Sequence, residues 1–182
     1  GSVTEPMSLI RSFCLFAVLC ASLDLLAQST PRERVAAHLK AVGTATSDTA
    51  QDRLSLLIEK ELRGLLDADD ALTASFTDLP MTRVDAPDGA FRLFTWNLPR
   101  QDGSHQYRGF LVARTKRGQS LFELRDMTPK IPSPEVPELG PDRWYGALYY
   151  EVIPVEKGSR TFYTLLGWKG YNKAETRKVI EV

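Results

Sequence analysis

The chain has 182 residues, 23 Lys and Arg balanced by 23 Asp and Glu, and two Cys, Cys14 and Cys20. A charge balance without a basic cluster excludes the phosphate-tracking footprint of a nucleic-acid binder. Both thiols fall within the first 27 residues, so the rest of the chain has no disulfide, no Cys-ligated zinc and no Cys nucleophile.

Gly1 to Pro6 precede the first Met and are set aside from the fold reading. Met7 to Arg11 leads into an apolar run of nine residues, Phe13 to Ala21, with Leu23, Leu25 and Leu26 beyond it. A spanning helix needs ~20 apolar residues. Asp24 inside such a span would cost roughly 2.5–3.5 kcal/mol on insertion scales. The pattern therefore predicts a cleaved secretory signal over residues 7–27, behind the upstream residues 1–6, with cleavage after Ala27 and Gln28 as the new N-terminus. Export to the periplasm or cell exterior follows, with no transmembrane span after signal removal. Removing Glu5, Asp24 and Arg11 leaves 22 basic and 21 acidic side chains. About 155 residues remain, enough for one modest core that buries ~68–70% of the extended surface.

Residues 28–80 read as a helical N-terminal segment. Thr30 and Pro31 supply an N-cap and a first helical position, and Gly43 a stop. A second helix is expected over Thr49 to Asp67, with Leu54, Leu57, Ile58, Glu61, Leu62 and Leu65 on its inner side.

After Pro80 the period changes to two, and residues 81–182 read as an antiparallel β domain. Ala90 to Leu98 alternates, with Phe94, Trp96 and Leu98 on one face and Phe91 and Leu93 on the other. Asp102-Gly103 marks a hairpin turn. Strands are expected over Tyr107 to Thr115 and Leu121 to Asp126. A crossing segment, Pro129 to Pro141, follows with five prolines in thirteen residues. Trp144 to Val155, Thr161 to Trp168 and Arg177 to Val182 complete about six strands. The short connections predict an antiparallel meander, giving a mainly β fold with an N-terminal α-helical segment. The apolar ending Lys178 to Val182 fits either a chain that continues further or an edge strand at the terminus.

Phe94 to Pro99, Trp144 to Tyr150 and Tyr163 to Trp168 resemble segments of a group of uncharacterised exported proteins of Bacteroidota. The resemblance runs from about Phe91 to Val182. It implies export and a chain continuing past Val182, and it transfers no activity.

No motif names a chemistry. His38 and His105 are the only histidines, and both read as surface residues. There is no Gly-x-Ser-x-Gly elbow, Walker loop or Gly-x-Gly-x-x-Gly run. A calcium loop starting at Asp67 would place Leu72 where Gly is required and Asp78 where Glu is required. Asp102, Glu123, Asp126 and Glu151 offer carboxylates without fixing any pair across a substrate. No cofactor or metal is implied. The densest chemical feature is aromatic: Trp144, Tyr145, Tyr149, Trp168 and Tyr171. Alternation puts Tyr145 and Tyr149 on one face and Trp144 and Tyr150 on the other. Such a set either packs between two layers or forms a surface that stacks on a glycan or grips an envelope protein. The resulting expectation is a non-catalytic binding or structural protein of the cell envelope. The alternative is an exported hydrolase with part of its active site beyond Val182.

Overall fold

The computed structural model describes residues 29–135 and 138–182. The predicted signal, residues 7–27, and the Ala27–Gln28 cleavage bond lie outside the described residues. No described helix is long and apolar enough to cross a membrane.

Helix α1 spans Pro31–Thr44, and α2 spans Asp48–Leu66. At the start of α1, the Thr30 hydroxyl accepts from the Glu33 amide while the Glu33 carboxylate accepts from the Thr30 amide. This reciprocal box satisfies two otherwise unpaired donors. Ser47 caps α2 by accepting from the Ala50 amide. The buried stripe of α2 runs Gln51, Ser55, Ile58, Leu62, Leu66. This corrects the predicted inner face, because Leu57 is exposed. Gln51 and Ser55, two polar residues outside the expected set, lead the stripe, while Leu54 and Leu65 pack partly buried beside it. Gln51 fits there because its amide donates to Pro99 O at 2.7 Å.

The described residues are mainly β, with seven strands in two open antiparallel sheets. The first sheet is β1 (Thr82–Asp85), β2 (Phe91–Pro99), β3 (His105–Thr115) and β4 (Gly118–Arg125), paired in that order. The second is β5 (Leu148–Lys157), β6 (Arg160–Gly170) and β7 (Thr176–Glu181), also in order. The expected single meander of about six strands is thus two meanders, because β4 has no ladder with β5. The unpredicted strand is β1. Only Val84 of its four residues is apolar and buried, so periodicity gives it little signal.

The first sheet is buried on both faces. Phe94, Trp96 and Leu98 of β2 join Phe110 and Val112 of β3 in a core with the helical Val35, Leu39, Ile58 and Leu62. Leu93 and Tyr107 face the opposite way, into a second core with Trp144, Tyr145, Ala147, Tyr149 and Val179. The period of two in β2 therefore sorts one strand between two cores, one against helices and one against the second sheet. The distal β5–β6 hairpin leaves Ile153, Val155 and Phe162 exposed.

The sheets are joined by a crossing segment rather than a hairpin. Asp126 and Trp144 make an isolated parallel bridge, supported by Met127 N to Trp144 O at 2.8 Å and Trp144 N to Arg125 O at 2.9 Å. Residues 144–147, expected at the start of a strand, are instead irregular. Gly146 turns there at φ 74°, where a Cβ would meet Asp126 and Tyr107 atoms at 2.9 Å. The register of β5 on β6 then shifts between Tyr149 and Glu151. That bulge leaves Tyr149 buried and Tyr150 exposed.

Candidate functional site

Two cavities open between the sheets at opposite ends of β3, β6 and β7. Both are lined by residues of the crossing segment as well as by both sheets.

The first cavity, about 400 Å³, is apolar. Leu93, Leu111 and Leu124 of the first sheet face Tyr163 and Leu165 of β6 across it, with Leu139 and Trp144 from the crossing segment. Phe91 and Tyr163 meet edge to face at 5.0 Å between centroids. The Tyr163 hydroxyl donates to Asp88 Oδ2 at 2.5 Å, which fixes the ring and lowers the Asp88 pKa.

Glu181 is the carboxylate on this apolar wall. It closes a short relay in which Trp144 Nε1 donates to the Tyr149 hydroxyl at 2.7 Å, and that hydroxyl donates to Glu181 Oε2 at 2.6 Å. Glu181 Oε1 is enclosed and has no partner among the described residues. Burial raises the Glu181 pKa against the opposing bond from Tyr149. Tyr149 is itself raised well above 10, by burial and then by the adjacent carboxylate. An enclosed carboxyl oxygen without a donor costs about 1–3 kcal/mol or more.

The second cavity, about 530 Å³, is polar and centred on Lys169. Lys169 is 1% exposed. Its ammonium donates to Thr128 Oγ1 and Gly146 O, both at 2.8 Å, and to Tyr145 O. It also lies over the rings of Tyr145 and Tyr107, at 4.3 and 4.6 Å from their centroids. Three donors meet three acceptors, so the group ties β6 to the crossing segment at both of its ends. Burial lowers its pKa to about 8, against partial compensation from Asp126 and Glu181. Tyr107 adds a second tie between the sheets: its hydroxyl donates to Gly170 O at 3.1 Å and accepts from Gly170 N at 2.7 Å. Asp126 anchors the start of the crossing, accepting from Tyr107 N and Thr128 N, each at 2.9 Å.

The predicted aromatic set divides between these places. Trp144, Tyr145 and Tyr149 are buried between the sheets, so they form no exposed platform. Trp144 and Tyr149 line the apolar cavity, while Tyr145 and Tyr171 line the polar one. Trp168 is half-buried and packs edge to face on His105 at 5.6 Å. Tyr171 is 39% exposed and carries the Arg177 guanidinium 3.7 Å over its ring. Arg177 also donates to the Tyr145 hydroxyl at 3.0 Å. His105, expected in a turn, is the first residue of β3 and pairs its Nδ1 with the Asn97 amide at 2.9 Å. Burial lowers its pKa, favouring neutral imidazole. His38 is half-buried, and its Nδ1 is enclosed without a partner. Of the four strand carboxylates, Glu123 pairs with Arg63 at 2.5 Å and Asp102 caps the Ser104 amide at 2.8 Å. Among the described residues, no group of three or more His, Cys, Asp or Glu side chains is placed to hold a metal ion.

Lys169 and Glu181 are the residues that pattern reading passed over. Each carries a legible signal, a charge on an inward strand parity. Lys169 shares its face with Leu165 and Gly167, and Glu181 shares its face with the buried Val179. No protein-family model, curated protein or solved structure matches the chain.

Proposed function

We propose that this is an exported, non-catalytic binding protein of the cell envelope that takes a small, largely apolar molecule between its two sheets. The observation that carries the reading is the apolar cavity of about 400 Å³, walled by both sheets and the crossing segment. Small-molecule sites are concave, mostly apolar and of about 300–1,000 Å³, with few polar groups to set orientation. The burial of Trp144 and Tyr149 in the cavity wall favours a guest held between layers over a sugar stacked on an open aromatic face. Export rests on the apolar run Phe13 to Ala21 and its short length.

The test is a titration of the chain from Gln28 onward with 1-octanol, followed by Trp fluorescence and by backbone amide shifts. Saturable changes at Leu93, Leu111, Leu124 and Leu165, and their loss in Thr161→Trp, are expected. Thr161 lies exposed at the cavity edge, so the larger ring blocks entry without entering a core. Non-saturating changes, or changes identical in Thr161→Trp, refute the reading.

A further inference from the structure

Burying a carboxyl beside apolar side chains is costly, and proteins compensate with paired donors. Glu181 is compensated by half. Its Oε2 accepts from Tyr149, whose hydroxyl is already held from behind by Trp144 Nε1, so the relay is oriented and saturated. Its Oε1 is enclosed and has no donor among the described residues. Every other wall residue of the apolar cavity is an uncharged side chain, so the local charge in that space is negative. Glu181 also lines a smaller pocket with Arg177 and Lys178, and among the described residues it makes no ion pair with either. Lys169, whose charge acts on it, already spends its three donors on Thr128, Tyr145 and Gly146.

We propose that Glu181 is the specificity-determining residue of the cavity, and that the guest is an amphiphile ending in a primary amine, its apolar body between the sheets and its ammonium on Glu181. This rests on the binding role proposed for the cavity and adds the chemical class of the guest. An ammonium supplies both the donor that Oε1 lacks and the charge that the apolar wall leaves uncompensated. Charge-assisted bonds are roughly twice as strong as neutral ones. An alcohol supplies a donor without charge. A carboxylate of the same length brings like charge to the same place and is rejected.

The experiment compares n-octylamine, 1-octanol and octanoate by calorimetry and amide shifts on the chain from Gln28 onward, with Glu181→Gln and Glu181→Asp beside the wild type. Wild type is expected to bind octylamine at least tenfold tighter than octanol, with octanoate weakest. Glu181→Gln is expected to bring octylamine to the level that octanol shows in the same variant. Gln retains an oxygen for the Tyr149 bond, so the relay persists, and amide shifts remote from the cavity that match wild type verify the fold. Glu181→Asp keeps the charge at a shorter reach and retains part of the amine preference. Octylamine and octanol binding equally, octanoate binding best, or a preference that survives in Glu181→Gln overturns the assignment of Glu181 while leaving the cavity a binding site. Failure of all three probes to saturate the cavity overturns the binding role itself.

Discussion

Lys169 gives the sharpest quantitative test of how the two sheets are joined. Replacing it with Met removes a charge that burial disfavours and also removes the donor that pairs Gly146 O. The first effect is read from the shift of its pKa from 10.5 to about 8, worth about 3 kcal/mol at neutral pH. The second is an orphaned buried carbonyl, about 1–3 kcal/mol. Tyr145 O is spared, because the Thr128 hydroxyl reaches it at 2.6 Å. The two effects nearly cancel near neutral pH, so Lys169→Met is expected to change stability by no more than about 2 kcal/mol there.

The pH dependence separates them. The folded pKa lies below the unfolded one, so between about 8 and 10.5 the unfolded chain binds more protons. Wild-type stability therefore rises with pH across that window. From about pH 7 to about pH 9.5 the gain is about 2 kcal/mol. Lys169→Met lacks this term and also lifts the Lys169 charge from His105 and Glu181, which titrate below this window. It keeps the tyrosines, whose raised pKa values work in the opposite direction above 10. Urea melts of both proteins at several pH values measure the difference directly. A wild-type minus variant difference that stays flat to within about 0.5 kcal/mol refutes the buried, depressed Lys169.

Gly146→Ala is expected to lose about 2–4 kcal/mol, from left-handed backbone strain plus contacts of the new Cβ with Asp126 and Tyr107, and a thermal melt checks it. Thr30→Ala removes the capping box of α1 and is expected to cost about 0.5–2 kcal/mol in the same assay, because the cap serves one helix end only. Edman sequencing of protein recovered from cell fractions is expected to begin at Gln28 outside the cytosol. Met7 on a cytoplasmic product would refute the export reading.

Much of the body was legible because its residues obey one period at a time. The even and odd faces of β2 come directly from Phe94, Trp96, Leu98 against Phe91 and Leu93, and the folded chain puts those two sets on opposite faces. Thr30-Pro31 marks the first helix because caps and fixed φ are local chemistry. The split into two sheets was not legible, since it depends on where the proline-rich crossing lands. Its landing is set by the Asp126–Trp144 bridge and by Lys169, contacts between residues far apart in the chain. Which of its two open readings the aromatic cluster takes, packing between layers or forming a surface, was hidden for the same reason. Alternation holds only on a strand, and Gly146 takes residues 144–147 off one, so Trp144 and Tyr145 both turn inward. The cavity polar groups stayed hidden because Lys and Glu on strands ordinarily face solvent.

Glu181 and Lys169 together argue that the inter-sheet space is organised for something other than stability. The Glu181 pKa is raised above 4.5, so its favourable contribution is full below that pH and is lost as pH rises through the folded value. Lys169 recovers stability only as pH rises past about 8. Between those windows both groups work against folding. Glu181→Gln removes the acidic half of this penalty while keeping an acceptor for Tyr149. The variant is therefore expected to be more stable than wild type near neutral pH, with the difference vanishing below about pH 4.5. Urea melts across that range check the sign. A variant less stable than wild type at neutral pH would mean that Oε1 already has a compensating partner, and the case for an incoming ammonium would fall with it. The expected gain would identify Glu181 as a group that weakens the free protein, the signature of a residue whose partner arrives with the ligand.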